Sequence, residues 1–114
     1  MDSKKNMILS WQKVQNLFNI KIQFQKYFEN IGMPFNSILN KLKIKKKKKL
    51  IFYKYKKESI KNLKKIKLYP HVKRIINILK KKYKLAIVTS KDMERTLMLL
   101  KRFNIKTPLV YVLL

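Results

Sequence analysis

The sequence predicts an α/β chain, mostly helical, in which a run of helices precedes one strand–helix–strand unit. Three observations predict it. Leu85-Ala86-Ile87-Val88 is a short apolar run that stops at Thr89-Ser90-Lys91, and such a run bounded by polar residues reads as a buried, parallel-type strand. Amphipathic helical patterns lie on both sides of it. A second apolar run at 109–113 follows at a distance that suits one right-handed βαβ crossover. In open α/β sheets ligands sit beyond the carboxyl ends of the strands. Thr89 and Ser90 fall at that end, where hydroxyl and backbone N–H groups suit an anion.

Taken in order, residues 6–18 place Met7, Trp11, Val14 and Phe18 at i, i+4, i+7 and i+11, one face of a helix. A second, short helix is expected to hold Phe24, Phe28 and Ile31 and to end at Gly32, the single glycine, with Pro34 following. A third starts near Pro34, where proline suits a first turn, and buries Ile38, Leu39 and Leu42. The lysines at 45–49 read as a solvated loop or face, because like charges four apart disfavour a helix. Residues 50–63 are expected to be helical with Ile51, Tyr55 and Ile60 inward, although Phe52-Tyr53 also suits a strand. Leu68-Tyr69-Pro70 breaks the pattern and divides the chain into 1–67 and 68–114. Over 71–82, Val72, Ile75, Ile76 and Leu79 form a helical stripe that ends in lysines suited to the helix dipole. After the strand at 85–88, Asp92 or Ser90 caps a helix over 93–103 that buries Met93, Leu97, Leu100 and Phe103. Asn104 stands where a left-handed residue closes a helix.

A length of 114 residues suits one domain or a fragment of one, and 46% hydrophobic residues support a modest core. With no cysteine there is no disulfide framework, thiolate metal site or thiol nucleophile. The longest apolar runs fall far short of a membrane span and no secretory segment stands out, so the expected compartment is the cytoplasm, with no membrane partner. The net charge of +25 admits two readings. One is weak nucleic-acid binding through lysines that neutralise phosphates. The other is compositional bias: only Arg74, Arg95 and Arg102 among the 30 basic residues are arginine. Evolved phosphate-binding surfaces recruit arginine for its bidentate fork. Asn, Ile, Phe and Tyr are also abundant, as coding rich in A and T produces, so bias is the favoured reading.

Tyr69-Pro70-His71-Val72, the helix after it, and Leu85-Ala86-Ile87-Val88-Thr89-Ser90-Lys91 together resemble the haloacid dehalogenase-like (HAD) hydrolase superfamily. Within it they resemble the phosphoglycolate-phosphatase-like branch. Leu99-Leu100-Lys101-Arg102-Phe103 followed by Asn104-Ile105 is similar to that branch's Leu-Leu-x-x-Phe-Gly-Ile. His71 and Asn104 stand where the branch usually has glycine. Asp2-Ser3 resembles the end of the family's first motif. Trp11 with its helix, and then Ile31-Gly32-Met33-Pro34, resemble the helical cap inserted after that motif. The resemblance covers nearly the whole chain. It implies a cap-like region over 1–67 and part of a Rossmann-like core over 68–114.

The same resemblance implies a phosphomonoester phosphatase acting on a small phosphorylated substrate. In that chemistry an aspartate nucleophile takes the phosphoryl group, which splits one hard displacement into two easier ones. Mg²⁺ and a neighbouring acid/base assist. Thr89 matches the hydroxyl that binds the transferring group, and Ser90 and Lys91 complete the candidate phosphate-binding turn. Asp2 matches the trailing aspartate of the first motif, not the nucleophile. The resemblance therefore implies a fragment, inactive alone, with no catalytic residue and no metal ligand of its own; Mg²⁺ enters through the family only. The five acids, Asp2, Glu29, Glu58, Asp92 and Glu94, form no spaced pair. Asp92 reads as a helix cap and His71 as structural. Taken without the resemblance, Thr89 and Ser90 read as a strand-end turn and cap. Trp11 and the tyrosines, at helical spacing, read as core rather than base-stacking platforms.

Overall fold

Trp11 organises the N-terminal packing. Its indole is fully buried, stacks on Tyr27 with centroids 4.5 Å apart, and donates from Nε1 to the Ile22 carbonyl at 2.8 Å. The computed structural model describes residues 1–106 and 109–113. They fall into two units, Asp2–Lys67 on the one hand and Leu68–Leu114 with Met1 on the other.

The first unit is helical. It runs through α1 (Lys4–Phe18), α2 (Phe24–Phe28), α3 (Phe35–Lys41) and α4 (Lys48–Lys61) to a 3₁₀ turn at Leu63–Lys65. Its core is Trp11, Val14, Tyr27, Ile38, Leu39, Ile51 and Tyr55. The Tyr27 hydroxyl donates to that of Tyr55 at 3.0 Å, so both phenols are satisfied inside an otherwise apolar cluster. The strand alternative at Phe52-Tyr53 gives way to α4, because Ile51, Tyr55 and Ser59 recur at helical spacing and all three are buried. Ile60 and Leu42, expected inside, are half-buried at the rim.

Polar residues join α1 to α4. Asn6 and Ser59 are both buried. The Asn6 Nδ2 donates to the carbonyls of Ser59 at 2.9 Å and Asn62 at 3.0 Å, and Ser59 Oγ donates to Asn6 Oδ1 at 2.8 Å. Asp2 and Lys67 then pair backbone to backbone, at 2.7 and 3.2 Å, and close the two ends of the unit.

One boundary differs from expectation here. α2 stops at Phe28, well before Gly32, and it buries Tyr27 while Phe24, Phe28 and Ile31 stay at least partly exposed. The chain tightens there into i→i+3 bonds, from Asn30 N to the Tyr27 carbonyl and from Ile31 N to the Phe28 carbonyl, both at 3.1 Å. Gly32 instead serves the following turn, at φ 108, a backbone conformation that L side chains rarely adopt.

The second unit comprises α5 (Val72–Lys80), β1 (Ala86–Thr89), α6 (Met93–Arg102) and β2 (Leu109–Val112). β1 and β2 pair in parallel with Ala86 beside Leu109 and Val88 beside Tyr111. The unit is thus a mostly helical α/β arrangement with one βαβ crossover.

The strand is parallel but not buried, which corrects the expectation. Ile87 and Thr89 are half-buried, whereas Val88 is 63% exposed and Tyr111 53%. A parallel sheet is buried when helices cover both faces, and this two-stranded sheet leaves one face bare. α6 is also turned relative to its expected face. It buries Arg95, Thr96, Leu99 and Leu100, while Met93 is 42% exposed and Leu97 50%. The cause lies in its first turn, where Arg95 and Thr96 bond back to Asp92. On α5 no residue is fully buried, and Ile75 and Leu79 stand exposed. Both positions that lack the glycine of the resembling branch hold left-handed backbone, His71 at φ 68 and Asn104 at φ 53.

The Asn6 clamp sets a measurable expectation. Asn6→Ala takes one bond from each of two carbonyls and leaves the buried Ser59 hydroxyl without its acceptor, and is expected to cost about 2–3 kcal/mol. Ser10→Ala is the control: its hydroxyl bonds only the Asn6 carbonyl of its own helix, at 2.9 Å, so its loss is expected to cost less than about 1 kcal/mol. Urea unfolding followed by circular dichroism reads both, and equal losses would show that the clamp does not hold the helices.

Candidate functional site

Thr89 ends β1, and its carbonyl accepts from Leu113 N at 2.8 Å, which carries the parallel ladder one step past the strand. The chain then turns sharply, with Lys91 N donating to Thr89 Oγ1 at 3.1 Å. This is the side-chain turn that threonine favours at a strand end. Asp92 caps α6: its Oδ2 accepts from Arg95 N at 3.0 Å and its Oδ1 takes Arg95 Nε in an ion pair. Thr96 Oγ1 donates to the Asp92 carbonyl at 2.8 Å. The turn is therefore fixed from both sides, by the β1–β2 ladder before it and by the first turn of α6 after it.

The structure brings Thr89, Ser90 and Lys91 together at this one place, all three half-buried. The Thr89 hydroxyl accepts a bond, and among the described residues its own proton meets no acceptor. The Ser90 hydroxyl and the Lys91 ammonium likewise meet no hydrogen-bond partner among them. Burial pushes the Lys91 pKa from 10.5 down to about 8; the Arg95 guanidinium pushes the same way, and the Asp92 carboxylate opposes. Two hydroxyls and one unwilling cation thus lie on a fixed turn, which is chemistry that can receive an anion.

Arg95 and Thr96 were not among the residues expected to matter. Their signal was present as an arginine three positions after a capping aspartate, but apolar spacing favoured the Met93–Leu97 face. His71 lies elsewhere, as the left-handed residue preceding α5. Trp11, Tyr27 and Tyr55 sit in the helical core, and nothing in the fold favours the nucleic-acid alternative.

The family described as haloacid dehalogenase-like hydrolase matches residues 1–114. The chain belongs to the HAD-like hydrolases. Searches of curated proteins and of solved structures gave no match. The superfamily suggests a small-molecule substrate, and among the described residues no helix is long and apolar enough to cross a membrane.

HAD-like hydrolases generally use Mg²⁺. The described residues do not fit that ion. No three His, Asp or Glu side chains come together among them. The one carboxylate at the turn, on Asp92, is committed to Arg95 and to capping α6. A cation beside it disfavours a second, divalent one.

Lys91 yields a test by pH. Folded, it sheds its proton near pH 8; unfolded, at the ordinary value of 10.5. Below about 8 both states are protonated, and the penalty for seating the ammonium is fully present. Between the two values the unfolded chain binds the extra proton, so this group makes stability rise with pH. Lys91→Met is expected to be more stable than the natural protein at neutral pH, with the difference closing towards pH 10.5. Other lysines titrate in both proteins, so the difference between the two urea curves across pH isolates this one.

Proposed function

We propose that this HAD-like hydrolase acts on phosphomonoesters, in the manner of the phosphoglycolate-phosphatase-like branch, and that Thr89, Ser90 and Lys91 receive the phosphoryl group. In this reading 1–67 is the helical cap and 68–114 is part of the Rossmann-like core. The observation that carries it is the Lys91–Thr89 turn at the carboxyl end of a parallel strand. Ligands of open α/β sheets lie beyond that end.

The roles follow from the donors. The Thr89 hydroxyl, already anchored as an acceptor, donates a hydrogen bond to a phosphoryl oxygen. Ser90 offers a second hydroxyl. The Lys91 ammonium supplies full charge, and a phosphate dianion there offsets both the burial and the Arg95 repulsion that depress its pKa. Phosphoryl transfer is mainly positioning and charge neutralisation, so this turn would hold the transferring group in place.

The reading assigns no nucleophile within the 114 residues. Asp92 is bound to Arg95, and Asp2 belongs to the trailing position of the first motif. The chain by itself is therefore expected to bind phosphate and not to turn substrate over.

Heteronuclear NMR with inorganic phosphate and with phosphoglycolate tests this. The expected result is a saturable shift centred on 89–92, with affinity falling about tenfold or more in Thr89→Val and in Lys91→Met. A response spread evenly over the lysine run at 45–49, unchanged by either substitution, would overturn the reading. So would Mg²⁺-dependent hydrolysis of a phosphomonoester that Thr89→Val leaves intact.

A further inference from the structure

A groove of about 650 Å³ opens in the unit Asp2–Lys67, where α1 ends and α4 begins. It lies at the far end of α1 from the Asp2–Lys67 pairing, about 20 Å along a helix of this length. That volume lies within the range of small-molecule sites. Its floor is mostly apolar, formed by Leu17, Phe18, Ile20, Ile44 and the buried core residue Ile51, with Asn19 beside them. Its rim is cationic, formed by Lys43, Lys45, Lys46 and Lys47, and no carboxylate lines it.

The rim charge is uncompensated and locally focused. α4 starts there with no acidic residue in its first turn and no side-chain cap, although the positive end of a helix favours anions. Lys48, the one lysine of that turn with a recorded bond, is drawn off to Asn40 Oδ1 at 2.7 Å and does not line the groove. Lys43 and Lys47 hold left-handed backbone, at φ 61 and 60, and so bracket the loop whose lysines line the groove. An apolar floor alone would take any apolar molecule, and lysines alone would take any anion. Together they select a molecule that carries both parts.

We propose that this groove binds a single-chain anionic amphiphile. Its phosphate or carboxylate head sits on the rim at Lys43 and Lys45–Lys47, and its tail lies along Leu17, Phe18 and Ile44. The site lies in a different unit from Thr89–Lys91 and stands apart from the phosphatase reading.

The test uses the intact chain and decyl phosphate below its micelle concentration, read by heteronuclear NMR and calorimetry. The expected result is one saturating site, with shifts confined to 17–20 and 43–51. Leu17→Glu places a carboxylate on the floor at a half-exposed position, and Lys46→Glu reverses a rim charge in an exposed bend. Each is expected to weaken binding about tenfold or more, against less than about twofold for Lys57→Glu, an exposed charge-matched control on α4 outside the groove. Circular dichroism checks that Leu17→Glu folds, and Lys46→Glu carries the test if it does not. Decyl maltoside, with the tail but no charge, and inorganic phosphate, with the charge but no tail, are each expected to bind about tenfold more weakly or less. Equal weakening by Lys57→Glu would reduce the site to generic lysine charge. Equal binding of inorganic phosphate would make it a plain anion site, and binding to anionic vesicles without binding to the monomeric amphiphile would make it a membrane face. Any of these three results overturns the proposal.

Discussion

The amide of Asn6, held between two helices, constrains the first unit more than any apolar contact does. Apolar side chains between α1 and α4 tolerate small slips in register, because dispersion is non-directional. Hydrogen bonds in a dry interface do not. With Nδ2 on two carbonyls and Oδ1 on Ser59 Oγ, Asn6 permits one rotation and one height of α4 against α1. Trp11 then meets Tyr27, and Tyr27 meets Tyr55, at distances that follow from that setting. The polar clamp therefore specifies the packing, and the aromatic cluster fills it.

Much of this was legible from periodicity. Trp11, Val14, Ile38, Leu39, Ile51 and Tyr55 all point inward as their spacing requires. The clamp was not legible, because Asn6 and Ser59 are polar and register in no hydrophobic stripe. In the second unit the failure has another cause. The stripes on α5 and α6 are only partly covered, because burial depends on what lies opposite, and that information is not local to a helix. At α6 a specific interaction outweighed the pattern, when Asp92 drew Arg95 and Thr96 inward. The turn at Thr89–Lys91 was legible from a strand ending in hydroxyls. Its electrostatics were not, since the pull on Lys91 comes from burial and from Arg95, neither of which the order of residues displays.

Charge in this protein has two meanings. Most of the 30 basic residues lie on an exposed surface, where charges are screened. A few are placed. Lys91 is held by a turn anchored at both ends, and the lysines at 43–47 gather at one edge of an apolar groove. What separates a placed charge from a compositional one is the geometry around it. A count of lysines alone cannot tell the two apart, and for this reason net charge is a weak guide to the partners of such a chain.

The bare face of the β1–β2 sheet gives the compositional charge a colloidal meaning. Val88 and Tyr111 stand in register on that face, beside Ala86 and Leu109, and a two-stranded sheet has two free edges. Such a surface is adhesive, and long-range repulsion between bodies that each carry +25 opposes the meeting of two copies. That repulsion reaches about 8–10 Å at physiological ionic strength and only about 3 Å at 1 M salt. Self-association then depends on the solvent as much as on the fold: the repulsion that opposes it is strongest in dilute buffer and stripped by salt.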